Sequence, residues 1–158
     1  MQLLKIYYAY FSPGNTTEKV VSHIASSFQN YPVESINLTD YATRQEDYYF
    51  KENELLIIGV PAYGGRVPAP VVDALRHFTG SNTPVVLVAT YGNRDIDDTL
   101  IELKKNVIDK GFIPVSAASF VCQHTFLKEC AEGRPDEEDL KMAREFGDKL
   151  KERLRLLV

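Results

Sequence analysis

The chain has 158 residues, 44% of them hydrophobic, which is enough for one domain with a substantial core. Its net charge of −4 excludes the basic stripe of a nucleic-acid binder; no apolar run approaches the ~20 residues of a membrane span, and no basic-then-apolar leader opens the chain. Two cysteines are too few for a disulfide framework or an iron–sulfur cluster, so the composition points to a soluble cytoplasmic protein that holds any redox cofactor by other means.

Taken in order, Leu3 to Phe11 reads as a first strand rich in aromatic residues, and Val20, Val21, Ile24, Ala25 and Phe28 then recur on one helix face. Between them lies Ser12-Pro13-Gly14-Asn15-Thr16-Thr17. A strand, a short loop of hydroxyl and small residues, and a helix start make an anion site, because free N–H groups and the positive end of the helix dipole face the loop. No lysine or arginine stands inside the loop, so the expectation is a phosphate held by neutral donors, with hydroxyls from Ser12, Thr16 and Thr17. Pro32 to Leu38 is short and half polar, as an edge strand can be. Residues 39–53 are polar and tyrosine-rich, with no helix period.

Leu55 to Val60 is a continuous apolar run, the mark of a central strand in a parallel sheet, and it ends in the loop Pro61-Ala62-Tyr63-Gly64-Gly65-Arg66-Val67-Pro68. Helical spacing resumes with Val67, Val71, Val72, Leu75 and Phe78. Pro84 to Thr90 is a second central strand, ending in Tyr91-Gly92-Asn93-Arg94-Asp95. Ile96, Leu100, Leu103 and Val107 mark a helix closed by Lys110-Gly111. Phe112 to Val121, weakened by Pro114 and its serines, is a fifth and edge strand. Residues 122–135 are irregular; Pro135-Asp136-Glu137-Glu138 opens a last helix, with Leu140, Ala143, Gly147, Leu150 and Leu154 on its buried face.

The order β-α-β-β-α-β-α-β-α predicts a single α/β domain over residues 1–158, a doubly wound five-stranded parallel sheet of order 2-1-3-4-5. Ligands of such sheets bind beyond the strand carboxyl ends at the switch point, where loops 12–17, 61–66 and 90–95 converge. Paired glycines let backbone approach a ligand and tyrosines offer flat faces, so the three loops suit a flat ring tethered to a phosphate. The plainer alternative is that glycine and asparagine only make the turns. A receiver domain needs acidic strand ends, where this chain has Phe11-Ser12 and Val60-Pro61; the G-x-G-x-x-G and G-K-[ST] loops are absent. Cys122 followed by Lys128 lacks the arginine of a cysteine phosphatase loop. Cys122, His124 and Cys130 lack a fourth metal ligand at suitable spacing and read as ordinary residues, and His23 and His77 fall on helices away from the loops.

On Gly59 to Pro68, Tyr91-Gly92-Asn93-Arg94 and Gly133-Arg134-Pro135-Asp136, the chain resembles the flavodoxins, and more closely the flavodoxin-like domains that precede ferredoxin modules in anaerobic bacteria. The resemblance implies one non-covalent FMN and an electron carrier whose partner is a redox protein, such as an iron–sulfur protein of ferredoxin type. The phosphate would lie in Ser12, Pro13, Gly14, Asn15, Thr16 and Thr17. The ring would lie between Pro61, Ala62, Tyr63, Gly64, Gly65 and Arg66 on one side and Thr90, Tyr91, Gly92 and Asn93 on the other, with Asp98 near and Tyr63 and Tyr91 as stacking residues. Where flavodoxins have threonine then glycine, this chain has Gly14 then Asn15; Asn15 either takes the left-handed turn or caps the helix with Glu18. The family's iron–sulfur module would follow the last helix, whereas this sequence ends at Val158. An FMN-dependent NAD(P)H:quinone-type oxidoreductase and a flavodoxin-fold binding module that has lost its flavin remain as alternatives.

Overall fold

The two unbroken apolar runs become the middle of a sheet. The computed structural model describes residues 2–92, 95–124 and 126–156. Its main strands are β1 (Lys5–Tyr10), β2 (Val33–Asn37), β3 (Glu54–Pro61), β4 (Thr83–Tyr91) and β5 (Phe112–Val121). Its main helices are α1 (Thr16–Ala25), α2 (Ala69–Leu75), α3 (Thr99–Asp109) and α4 (Glu137–Arg155). All five strands pair in parallel in the order β2-β1-β3-β4-β5, the predicted doubly wound topology.

Side chains alternate across a strand, so each central strand feeds two cores. Leu55, Ile57, Val86 and Val88 meet Val20 and Ile24 of α1 and Ala143, Leu150 and Leu154 of α4. Leu56, Ile58, Val60, Val85 and Leu87 meet Val71 and Leu75 of α2 and Leu103 and Val107 of α3. Each fully buried large aliphatic side chain is worth about 1.5–3 kcal/mol, which is why β3 and β4 carry no polar alternation. In β2 only Ile36 is buried, as befits an edge. At the other edge the β4–β5 register shifts between Val85 and Val86, opposite Pro114, which has no N–H to give the ladder. Where α1 presses on β3 the strand has Gly59, and a Cβ built there would lie 2.2 Å from Val21 Cγ2.

Residues 39–53 are more regular than their composition predicts. Asp40 Oδ2 accepts the Thr43 N–H at 2.9 Å and caps a single helical turn, Tyr41–Arg44. Tyr48–Tyr49 then pairs in parallel with Phe78–Thr79, so Phe78, expected on the helix face, lies beyond α2 in a short strand. Phe50 ties this patch to the core, with ring centroids 5.3 Å from both Phe78 and Phe112. One helical turn and a two-residue ladder are too short to leave a period. The last helix starts as predicted and adds a capping box, Asp136 Oδ1 accepting the Asp139 N–H and Asp139 Oδ2 the Asp136 N–H, each at 2.9 Å. Among the described residues no helix is long and apolar enough to cross a membrane.

Candidate functional site

The carboxyl ends of β1, β3 and β4 lie side by side, and each releases its chain into one of the three predicted loops. After β1, the Asn15 N–H donates to the Ser12 carbonyl at 3.1 Å and Asn15 takes φ 65°, the left-handed conformation asparagine tolerates. The alternative role for Asn15, a capping box with Glu18, is corrected: its side chain makes no cap bond, and Ser12 Oγ instead accepts the Glu18 N–H at 3.0 Å. Pro13, Gly14 and Asn15 are exposed, Thr16 is half-buried, and Ser12 is buried with its N–H on Thr39 Oγ1 at 2.8 Å. Thr17 is buried like Ser12. Its hydroxyl is buried 2.8 Å from that of Thr90, tying the start of α1 to the end of β4.

Charged side chains also stand beside this loop. A cavity of about 540 Å³ that takes in Pro13, Gly14 and Thr16 is lined as well by Lys19, Lys128 and Arg134. Lys128 and Arg134 come from the irregular stretch after β5, far away in the sequence, so no local pattern announces them.

The second loop is a two-residue reverse turn. Tyr63 and Arg66 exchange both backbone hydrogen bonds, at 2.9 and 3.0 Å, while Gly64 and Gly65 take φ of 59° and 75°, the pair of positive values a primed turn requires. A Cβ on Gly65 would stand 2.6 Å from Asp97 Cβ, whereas one on Gly64 would meet nothing within 4 Å. Arg66 is turned away from the site, onto Glu102 of α3 in an ion pair; the other Glu102 oxygen accepts the Val67 N–H at 2.9 Å. Arg66 therefore staples the turn to α3.

Asp98 occupies the N-cap position of α3, where its own N–H holds the Gly65 carbonyl at 3.0 Å and its side chain is exposed. Asp95 and Asp97, rather than Asp98, line a space of about 220 Å³ between Ala62, Gly64 and Gly65 on one side and Tyr91 and Gly92 on the other. Tyr63 is held edge-on to Phe11 and tilted to Phe126, with ring centroids 6.2 and 5.9 Å away. Pro61, Thr90 and Tyr91 border a narrow neck between the two larger spaces. Asn93 lies outside the described residues.

The wall the sequence leaves unassigned follows β5. The Cys122 N–H donates to the Tyr91 carbonyl, and the Gln123 N–H to the Arg134 carbonyl, at 2.8 and 2.7 Å. His124 Nδ1 accepts the N–H groups of Phe126 and Leu127 at 3.1 and 3.0 Å, which leaves the ring proton on Nε2. The imidazole packs on Gly92: a Cβ there would come within 2.8 Å of His124 Cδ2. His124 borders the neck and both larger spaces. Cys122 is buried, and burial pushes its thiol up to about 12, so it is protonated rather than a thiolate ligand. Among the described residues no three His, Cys, Asp or Glu side chains are gathered to hold a metal ion.

Arg134 fixes the far end of this wall. Its Nε and Nη2 donate to Asp139 Oδ2 and Oδ1 at 2.8 and 2.6 Å. The Arg134 hydrogen bonds hold the Asp139 carboxyl down at about 2, from 3.8. A depressed carboxyl stabilises the fold fully above its unfolded value and loses that contribution as pH falls through the folded one. About 2 kcal/mol should therefore disappear between pH 4 and pH 2. Urea unfolding measured from pH 7 to 2.5 should show this loss, and Arg134→Met should flatten it; an unchanged acid slope in that variant would assign the loss to other carboxylates.

No protein-family model and no curated protein matches the chain. Solved structures do. A flavodoxin from the domain Archaea superposes with a TM-score of 0.68 at 14% identity, over 96% of this chain and 99% of that one. A flavodiiron core from Synechocystis gives 0.64 at 19% identity, over 99% of this chain but 37% of that one. Rubredoxin oxygen:oxidoreductase from the anaerobe Desulfovibrio gigas gives 0.63 at 14%, over 98% of this chain and 37% of that one. These likenesses establish a flavodoxin-like fold.

Proposed function

We propose that the chain binds one FMN non-covalently and passes electrons between redox proteins. The observation that carries this reading is the convergence, at the switch point of a flavodoxin-like sheet, of an anion loop with two glycine-bearing tyrosine loops. The residues present fit the cofactor at both ends. The Thr16 hydroxyl and the first N–H groups of α1 suit a phosphate, and the unobstructed backbone at Gly64 suits the close approach of a ring edge.

In this reading Ser12 to Thr16 hold the phosphate directly, while Thr17 and Thr90 brace the loop from below. Ala62 to Gly65 form one wall of the ring site, and Tyr91 and Gly92 the other; Arg66 and Asp98 keep the 61–66 turn in place. FMN, when bound, supplies the reversible electron chemistry, and the protein sets its potential. His124, with Nδ1 already accepting, has Nε2–H as its donor to the site. Asp95 and Asp97 oppose negative charge in the space they border. Phe126 and Leu127, 74% and 52% exposed, form an apolar rim where a partner can approach. The partner we propose is an iron–sulfur protein of ferredoxin type in the cytoplasm of an anaerobe.

Titrating FMN into the purified protein should quench flavin fluorescence at 1:1 stoichiometry, with a Kd below about 1 μM, or roughly −8 kcal/mol. Absence of uptake would remove the reading and leave a flavin-free binding module. Steady-state NAD(P)H oxidation with a quinone distinguishes the carrier from the reductase: sustained turnover would displace it.

A further inference from the structure

The cavity beside the phosphate loop is larger and more positive than one phosphate needs. At about 540 Å³ it lies within the roughly 300–1,000 Å³ of sites that enclose whole small molecules. Lys19, Lys128 and Arg134 line it and no carboxylate does, in a chain whose net charge is −4. The three cations come from different places, α1, the wall after β5 and the approach to α4, so no single helix face or charge run explains their meeting. Lys19 and Lys128 form no ion pair among the described residues. Arg134 spends Nε and Nη2 on Asp139, which leaves Nη1 out of that pair. Gathering like charges around one cavity raises their energy unless an anion joins them. The loop itself, with Gly14 and the start of α1, already provides for one phosphate.

We infer that this cavity takes a second phosphate linked to the one in the loop, and so binds the diphosphate of a dinucleotide. Lys19 and Lys128 supply point charges to the second phosphate, with the remaining face of Arg134 beside them. A flavin dinucleotide and a nicotinamide dinucleotide share this chemistry, and the experiment separates them.

The full-length protein is titrated calorimetrically with inorganic phosphate and with inorganic pyrophosphate at low salt, alongside the double variant Lys19→Gln/Lys128→Gln, whose exposed substitutions leave the core intact. Pyrophosphate should bind at least tenfold more tightly than phosphate, and the double variant should reduce that ratio to about twofold. Equal binding of the two anions, or an undiminished ratio in the variant, overturns the inference. FAD and NADPH are then titrated into the same two proteins. Tighter binding of FAD than of FMN, lost in the variant, identifies the flavin dinucleotide; binding of NADPH to the FMN-free protein, displaced by pyrophosphate and lost in the variant, identifies the nicotinamide one. Binding of neither dinucleotide overturns the assignment. A protein that prefers pyrophosphate yet takes up no FMN keeps this site and loses the carrier reading, whereas FMN uptake without the preference does the reverse.

Discussion

Arg134→Ala is expected to lower the unfolding free energy by about 2–3 kcal/mol, less than the ~3–5 kcal/mol for breaking a fully buried pair because this guanidinium is 40% exposed. The loss arises from what is left behind. Asp139 is only 6% exposed, and without Arg134 its carboxylate keeps, among the described residues, the Asp136 backbone N–H as its hydrogen-bond donor. It also sits in the first turn of α4, where the helix dipole favours an anion, so it will not simply be released to solvent. A melting temperature lowered by about 5–10 °C is the corresponding observable for a chain of this size. Arg134→Lys should recover less than half of the loss, since a lysine cannot make the two-pronged contact. Full recovery by lysine would show that charge, and not the planar fork, is what matters.

Gly59→Ala is expected to cost about 2–3 kcal/mol by overpacking. The added Cβ would meet Val21 Cγ2 at 2.2 Å and Thr17 Cγ2 at 3.1 Å, and neither can swing clear because both residues are buried where α1 lies on β3. Relief must come from lifting the first turn of α1, which strains the Thr17–Thr90 hydroxyl bond and moves the 12–17 loop. If the proposed function holds, FMN affinity falls together with stability. Removing the obstacle provides the check: Gly59→Ala/Val21→Ala should be about 1–2 kcal/mol more stable than the sum of the single effects. Strict additivity in urea unfolding would place the strain elsewhere.

The frame of the molecule was legible because burial on both faces leaves no room for polar residues. Leu55 to Val60 and Pro84 to Thr90 can hardly be anything but central strands, and their neighbours follow from crossover rules. The turn at Ser12 to Asn15 and the Tyr63-Gly64-Gly65 turn were legible for a local reason: short-range bonds and backbone conformations are written into adjacent residues. What escaped depends on long-range pairing. Arg66, next to the glycines in sequence, looked like a ring contact; Glu102, on a helix that comes later, turns it away. Thr17 pairs its hydroxyl with that of Thr90, far away in the sequence, a contact no local pattern announces. Lys128 and Arg134 carried no periodicity, and only the folded chain brings them to Gly14.

The wall after β5 is fastened at one end by the Cys122 N–H on the Tyr91 carbonyl and at the other by Arg134 on Asp139. Neither anchor lies within the stretch it secures, so residues 123–133 can be exchanged with little effect on the sheet. Doubling the length of such a closed segment costs only about 0.6 kcal/mol of loop entropy. This makes the wall a module: a scaffold of fixed stability can acquire a different ligand preference by rewriting this one stretch, through natural drift or in a library.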